Sequence, residues 1–443
     1  MRKKPAADPE FQTKRVKRGR TPFSFLGHDF ESIDARIVRQ HIVWLIIAAV
    51  IAKVFVAVIT TTVFSSFVDY FDMGIYLKYT LLTLEGVFPY TSAEFQYPVL
   101  AFVPMMIAAI PALLFQNAMA FFLTFQALMI LCDVVTILCI YFIGLKLFNE
   151  KTALLAGLLY AAAFSAAYFV ITKYDAFPTA LLMLALLFTV YGHSMKGYAV
   201  SVFGFFTKIF PGIALLIMML FNAKKTSVKD EIISALKVGI PFFVILFLPL
   251  FLISPETLKI YIPVRSELGY YSNTLTFTIY TWLHDVFGFG ISIDLVSAGI
   301  YLFMGAGLLA LLFIAWKLPT KDPLLMLKLV LCAIVLVVIC AKVRSPQYIV
   351  WFTPLLCLLA VDDIRKIAAL FLFQALAYIE FPLMFGAYYT SVTYTAPGMS
   401  GGWMITLVMF TLMYISLLAC VWLVVDPLRI VSSLRKAMQQ STT

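Results

Sequence analysis

The chain has 443 residues, of which 63% are hydrophobic and only 13% are charged. Soluble globular proteins contain roughly 25% charged residues. The apolar residues also come in blocks of roughly 18 or more, long enough to cross a bilayer core of about 30 Å. This composition excludes a soluble globular protein and predicts an all-α polytopic membrane protein that forms one bundle.

The net charge of +10 is concentrated at the ends of the chain, and the first twenty residues contain eight Lys or Arg. Basic segments beside a span are typical of the cytoplasmic side, and they favour contact with anionic lipid headgroups. A nucleic-acid-binding tail is the alternative, but we expect no nucleic-acid partner. The first apolar run begins near His41, too late and too long for a cleavable signal peptide. We predict cytoplasmic tails over 1–40 and 426–443, with a transmembrane bundle over 41–425 between them.

Loop charges orient the spans. With the N-terminus inside, the first span (about 41–64) leads to an outer loop over 65–97. Lys146 and Lys151 follow the run at 118–144 and favour the inner side. For that orientation, the proline-containing segment 98–115 should dip into the membrane and return, or lie in the interface, instead of crossing it.

A broken helical hairpin is predicted from "YAVSVFGFFTKIFPGIALLIMML", which begins and ends near basic inner loops. Each arm has about twelve residues, too few for the full bilayer thickness. Broken backbone at this depth needs cover from protein or from a wet cavity, so we expect a local thinning of the membrane or a lateral cavity beside the apex "FFTKIFP". A long outer loop follows over 254–292, and the bundle is expected to have about 10–13 transmembrane helices.

Acidic and basic residues gather on the predicted outer side. They include Asp69 and Asp72 on the first outer loop, Lys173 and Asp175 beside one span, Lys208 at the hairpin apex, Arg265 on the long loop, and Lys342, Arg344 and Gln347 in a late turn. A carboxylate can take a proton from a hydroxyl, and lysine and arginine can hold a phosphate leaving group. Such groups beside a cavity open to lipid indicate transfer from a lipid-linked phosphate.

Other polar residues favour structural roles. Asp133 falls in the middle of a span, where a charge is costly, so we favour a structural role over a catalytic one: it would pair with another helix or bond polar backbone beside the broken segments. The six cysteines lie in apolar segments without a CxxC pair, and the four histidines are scattered. No metal site and no cofactor are therefore expected.

Five stretches, in chain order, resemble motifs of one enzyme family. "DMGIYLKYTLLTLEGVFPY" resembles the first lumenal-loop motif of the GT-C glycosyltransferases, with an Asp, an aromatic residue four positions on, and a Gly before "PY". "FQYPVLAFVPMM", "LMILCDVVTILCIYF", "FGFFTKIFPGIALL" and "KVRSPQYIVWFTPLL" resemble segments of GPI mannosyltransferase I and its relatives. Bacterial polyprenyl-phosphomannose-dependent mannosyltransferases share much of this pattern. The family often has a second Asp two residues before the first; here that position is Tyr70, and the extra acid is Asp69.

The resemblance implies a GT-C-type bundle with an amphipathic outer-loop helix. It implies a polyprenyl- or dolichyl-phosphate sugar donor, often of mannose, and a lipid, glycan or protein acceptor, with inversion at the anomeric carbon and no metal. The implied roles are general base for Asp72, possible second acid for Asp69, donor-phosphate binding for Lys208, Lys342 and Arg344, and sugar or acceptor binding for Tyr76, Asp175, Arg265 and Gln347.

Two alternatives stay open. A transporter or flippase for lipid-linked sugars would use the same cavity and cations, but alternating access usually brings inverted repeats, and none is visible. A polyprenol-phosphate phosphotransferase would be expected to show a histidine-containing signature, which is absent. We expect a prokaryotic plasma-membrane protein with its active site outside the cytoplasm.

Overall fold

The structure is a computed structural model that describes residues 22–62, 70–87, 90, 95, 97–255, 257, 270–318, 321–384 and 403–440. Two of the candidate site residues, Asp69 and Arg265, lie outside the described residues. The regular secondary structure of the described part is helical, apart from one small β-hairpin.

The hairpin consists of strands β1 (Pro22–Phe25) and β2 (His28–Asp34), which pair antiparallel. Its turn holds Leu26 and Gly27 at positive φ, 48° and 74°. The ring of Phe25 stacks on Phe142 with 3.9 Å between ring centroids, so the hairpin packs against the end of a long helix and closes this end of the bundle. The segment predicted as a tail thus contains ordered structure.

The helices follow in chain order. They are α1 (Ala35–Thr62), α2 (Phe71–Leu84), α3 (Phe102–Phe115), α4 (Ala118–Leu147), α5 (Glu150–Ala161), α6 (Phe164–Val170), α7 (Ala176–Val190), α8 (Ser194–Phe205), α9 (Phe210–Asn222), α10 (Val228–Phe242), α11 (Leu248–Ile253), α12 (Leu275–Thr281), α13 (Ile293–Lys317), α14 (Pro323–Cys340), α15 (Ile349–Ala360), α16 (Ile364–Tyr378), α17 (Trp403–Val425) and α18 (Pro427–Gln440). Short π-helical segments continue α10, α12 and α16, and 3₁₀ turns precede α3 and α15.

Within the described residues, seven helical stretches are long and apolar enough to cross a membrane. The pair α5 and α6, bent by 64° at a short break, makes an eighth if it counts as one broken span. Four further apolar helices have 10–17 residues, and the predicted count of about 10–13 is reached only when these are included. The all-α polytopic fold is confirmed.

The broken hairpin is confirmed as α8 and α9, which pack side by side. Two glycines allow this close approach. A Cβ on Gly204 would lie 2.7 Å from Pro211 Cβ, and a Cβ on Gly212 would lie 2.6 Å from Phe205 Cδ2. Small residues at such contacts let helices in a membrane approach closely. The turn between the two arms holds Lys208.

The loop helix α2 is present and packs on α3 and α4. Its buried residues Met73, Tyr76 and Thr80 recur at helical spacing and form its inner face. Phe102–Phe115 is one continuous helix, so the expectation that 98–115 dips into the membrane and returns is wrong. The alternative that the segment lies in the interface stays a prediction. Pro104 lies in its first turn, where proline is tolerated, and Pro111 lies within it.

A buried ion pair joins two helices of the bundle. Lys53 Nζ of α1 lies 2.8 Å from Asp133 Oδ2 of α4, and the hydroxyl of Tyr160 in α5 donates to Asp133 Oδ1 at 2.8 Å. The Lys53 ammonium also lies 5.1 Å from the centre of the Tyr160 ring. Asp133 thus pairs with another helix, the first of the two structural roles that its mid-span position predicted.

Candidate active site

Asp72 is the second residue of α2, and its side chain is 18% exposed. The buried face of α2 fixes the helix on the bundle, so the position of Asp72 is set by the packing of Met73 and Tyr76. A carboxylate in the first turn of a helix interacts favourably with the helix dipole. The packing of α2 therefore fixes the position of Asp72, while its carboxylate stays partly exposed.

The first partner of this carboxylate comes from the turn between α6 and α7. Lys173 Nζ lies 2.9 Å from Asp72 Oδ2, and the lysine side chain is only 3% exposed. Gln347, from the 3₁₀ turn before α15, donates its Nε2–H to the same oxygen at 3.4 Å. Three separate elements therefore meet at Asp72.

A second carboxylate–lysine pair involves Asp175, which lies in the same turn as Lys173. Lys208 Nζ lies 2.5 Å from Asp175 Oδ1, and Trp351 Nε1 of α15 donates to the same oxygen at 2.5 Å. The Asp175 side chain is fully buried, whereas that of Lys208 is 13% exposed. The apex of the broken hairpin is thus tied to α7 and α15.

Three aromatic rings surround the Lys208 ammonium. Its Nζ lies 4.6 Å from the ring centre of Tyr174, 5.1 Å from that of Tyr348 and 4.9 Å from that of Trp351. Cations are attracted to ring faces at such distances, most strongly where water is excluded. Lys208 is therefore held by a carboxylate and an aromatic cage together.

The electrostatics of the site follow from burial. Burial lowers the pKa of Lys208, although Asp175 and then Asp72 act against that effect. Burial is also the main cause that raises the pKa of Tyr76, Tyr97 and Tyr174 well above the usual tyrosine value. These hydroxyls are therefore neutral hydrogen-bonding groups at any physiological pH.

Two buried polar atoms next to Lys208 have no hydrogen-bond partner among the described residues. They are Asp175 Oδ2 and the hydroxyl of Tyr174. Buried polar groups are usually paired with protein or water. The missing hydrogen bonds of these two atoms would have to come from water or from a bound ligand.

Tyr76, assigned by resemblance to sugar or acceptor binding, lies on the buried face of α2, four residues after Asp72. Its ring is fully buried and lies 5.6 Å from Tyr97, 5.8 Å from Tyr174 and 5.3 Å from Phe125, measured between centroids. It packs the α2 helix against the turn that supplies Lys173 and Asp175. Tyr76 therefore lies beside the site, where it contacts aromatic rings.

Arg344 and Lys342 contact different groups. Arg344 binds Glu380 with two contacts, Nη1–Oε1 at 2.5 Å and Nη2–Oε2 at 2.9 Å, and it donates to the Asn273 carbonyl at 3.3 Å. The Lys342 ammonium lies 5.0 Å from the centre of the Tyr270 ring. These contacts connect the two cations to residues 270 and 273 of the long outer loop and to the π-helical segment that follows α16.

The structure therefore brings together Asp72, Tyr76, Asp175, Lys208 and Gln347 of the predicted site. Sequence reasoning did not identify Lys173 as the partner of Asp72, nor the cage of Tyr174, Tyr348 and Trp351. The run "TKYD" was the available signal, because a lysine, a tyrosine and an acid directly follow a short span. Among the described residues, no three His, Cys, Asp or Glu side chains are grouped as a metal site would require.

No family model matches the chain, and no curated protein does either. Two solved structures are similar to it at low identity. One is ArnT from Cupriavidus metallidurans bound to undecaprenyl phosphate, with a TM-score of 0.43, 16% identity, and coverage of 82% of this chain and 72% of that chain. The other is the apo oligosaccharyltransferase of Archaeoglobus fulgidus, with a TM-score of 0.41 and 12% identity over 87% of this chain and 55% of that chain. At these TM-scores the likeness is loose.

Proposed function

We propose that the chain is an inverting glycosyltransferase. It moves a sugar, with mannose as the first candidate, from a polyprenyl- or dolichyl-phosphate donor to a hydroxyl of a lipid, glycan or protein acceptor at the outer face of the membrane. The observation that carries the proposal is the meeting of Asp72, Lys173, Asp175 and Lys208 at one end of the bundle, in two ion pairs of 2.9 and 2.5 Å. The motif resemblance supplies the donor class.

Asp72 is the proposed general base. Both of its contacts, with Lys173 and Gln347, use Oδ2, so Oδ1 is the oxygen that would accept the proton of the acceptor hydroxyl. As that proton leaves, the acceptor oxygen attacks the anomeric carbon and the bond from this carbon to the phosphate oxygen breaks. Attack from the face opposite the phosphate inverts the configuration.

Lysines at the site would stabilise the phosphate as it leaves with additional negative charge. Lys208 is the principal candidate, because it stands at the apex of a hairpin too short to cross the bilayer and is partly exposed. Lys342 and Arg344 are secondary candidates. Arg344 is paired with Glu380, and the Lys342 ammonium lies over the Tyr270 ring. Asp175, Tyr76 and Gln347 are proposed to bind the sugar or acceptor.

The test is transfer in detergent or nanodiscs by the purified protein. It would be given radiolabelled polyprenyl-phosphate sugars and a panel of lipid, glycan and peptide acceptors. Asp72→Asn should fold and bind donor yet lose at least about 100-fold in turnover, the lower range for loss of a general base. Asp362→Asn is the matched control, because that aspartate is 56% exposed and pairs with Lys366. Full turnover by Asp72→Asn would remove Asp72 from its role.

The same preparations distinguish the transporter alternative. A flippase would move a fluorescent lipid-linked sugar across a vesicle membrane without forming product, and Asp72→Asn would have no chemical step to lose. Translocation in the absence of any transfer, over the whole acceptor panel, would replace the glycosyltransferase proposal.

A further inference from the structure

The four charged groups of the site neutralise one another. Asp72 is paired with Lys173, and Asp175 is paired with Lys208. The carboxylate proposed as the base is therefore already compensated by an ammonium group, and each lysine is engaged by an acid. A sugar phosphodiester brings one further negative charge, and within these two ion pairs the phosphate can be fully paired only by drawing a lysine from its carboxylate.

The two pairs differ in the exposure of the carboxylate. Lys208 lies in the cage of three rings, and its carboxylate partner is fully buried and also binds Trp351. Leaving this position would cost the ammonium both a carboxylate and its ring contacts, so Lys208 would stabilise the phosphate from within the cage. Asp72, in contrast, stands in the first turn of a surface helix and is 18% exposed. The Lys173–Asp72 pair is therefore the one that a ligand can reach through its carboxylate, although the Lys173 side chain is itself only 3% exposed.

We propose that Lys173 is an exchangeable counter-ion, which neutralises Asp72 before the donor binds and passes to the donor phosphate when it binds. The inference rests on the proposed function and assigns to Lys173 a role that the motif resemblance does not contain. Asp72 is then uncovered as a base only when donor is in place. Gln347 still donates to Oδ2 at 3.4 Å and keeps the carboxylate oriented.

The exchange is consistent with the charge changes of the transfer step. The acceptor proton goes to Asp72, the acceptor oxygen forms a bond to the anomeric carbon, and the bond from that carbon to the phosphate oxygen breaks with its electron pair on the phosphate. The phosphate thus gains one negative charge while Asp72 loses one. In this proposal, Lys173 follows that charge from the carboxylate to the phosphate.

The proposal predicts that Asp72 competes with the phosphate for Lys173. The experiment is a double-mutant cycle on the binding of farnesyl phosphate, a sugar-free probe, to detergent-solubilised full-length protein. Asp72→Asn should tighten binding by about tenfold, within the range measured for neighbours in one charge network. Lys173→Gln should weaken binding, and Asp72→Asn added to Lys173→Gln should then change it little.

Each outcome of the cycle decides the matter. No tightening by Asp72→Asn, or the same tightening in the Lys173→Gln background, overturns the exchange, because general electrostatic repulsion would act in both backgrounds. Lys173→Met, which keeps the apolar stem of the side chain, is a second background should the Gln variant not fold. Asp362→Asn should leave binding unchanged.

Failure of the inference and failure of the proposed function are distinguishable. If wild-type protein transfers sugar and binds farnesyl phosphate but the cycle is additive, only the role of Lys173 is wrong. If wild-type protein neither transfers sugar nor binds the probe, the proposed function is wrong and the exchange falls with it.

Discussion

Lys53 and Asp133 form an ion pair in which the two side chains are 1% and 0% exposed. Removing one partner would leave the other charge buried and uncompensated, which costs about 3 kcal/mol or more. We therefore expect Asp133→Leu to lower the melting temperature of the purified protein markedly, and Lys53→Met with Asp133→Leu to recover most of the loss. Thermal unfolding followed by gel filtration would measure both. An Asp133→Asn variant with normal stability but no turnover would instead indicate a catalytic role.

The lowered pKa of Lys208 predicts how activity falls at alkaline pH. Burial lowers the pKa of Lys208, so the ammonium that would bind phosphate is lost at a lower pH than for an exposed lysine, whose usual value is about 10.4. Activity should fall as pH rises through this lowered pKa. The neighbouring tyrosines Tyr76, Tyr97 and Tyr174 have raised pKa values and should not contribute to the fall.

Lys208→Arg is the variant that checks this assignment. A guanidinium stays charged over the whole accessible range, so the alkaline fall in kcat/KM should move to higher pH, whatever the absolute rate of the variant. An unchanged alkaline limb would assign the titration to another group.

The contact between Trp351 and Asp175 predicts a graded effect on catalysis. Trp351→Phe keeps an aromatic ring beside Lys208 but loses the N–H that donates to Asp175 Oδ1 at 2.5 Å. Hydrogen bonds to charged groups contribute about 1.5–3 kcal/mol, so kcat/KM should fall by roughly ten- to hundredfold. Trp351→Leu removes the ring as well and should fall further. Equal rates for the Phe and Leu variants would show that the ring contributes nothing.

Much of this arrangement follows from the sequence, and the missing part has a physical reason. A bilayer demands long apolar runs, so hydropathy alone located the long spans, and the short arms around Lys208 marked the broken hairpin. Lys173 and Asp72 lie 101 positions apart, and their contact depends on the rotation of α2 and the geometry of the turn after α6. Neither the rotation of α2 nor the geometry of that turn can be predicted from a short stretch of sequence. The Asp175–Lys208 pair was missed as a pair for the same reason.

The error at α3 has a different origin. The expected return of 98–115 came from the inner-side charges Lys146 and Lys151, and the two prolines of the segment predicted a kink. Pro104 lies in the first turn of α3, where its missing N–H costs nothing, and a proline such as Pro111 within a membrane helix is tolerated when neighbouring groups satisfy the freed carbonyl. Residue type alone did not distinguish a break from a tolerated proline.

The ion pair between Arg344 and Glu380 predicts that a substitution at Arg344 lowers the stability of the protein more than its affinity for the donor. Their two parallel contacts at 2.5 and 2.9 Å use the fork geometry that lysine lacks. Arg344→Lys should lower the melting temperature while changing the affinity for farnesyl phosphate by less than about threefold, well under the tenfold that corresponds to about 1.4 kcal/mol. A larger loss of affinity in fully folded protein would make Arg344 a direct ligand of the phosphate.

The side of the membrane that holds the site can be tested by cysteine labelling. Phe71 is 73% exposed and adjoins Asp72, whereas Lys151 is exposed at the start of α5, on the predicted inner side. An impermeant maleimide applied to intact cells should label Phe71→Cys and should label Lys151→Cys only after permeabilisation. The six native cysteines lie within α4, α14, α15 and α17, so wild-type protein should give little background. Labelling of both positions from one side would overturn the predicted orientation, and labelling of Lys151→Cys alone in intact cells would place the site in the cytoplasm.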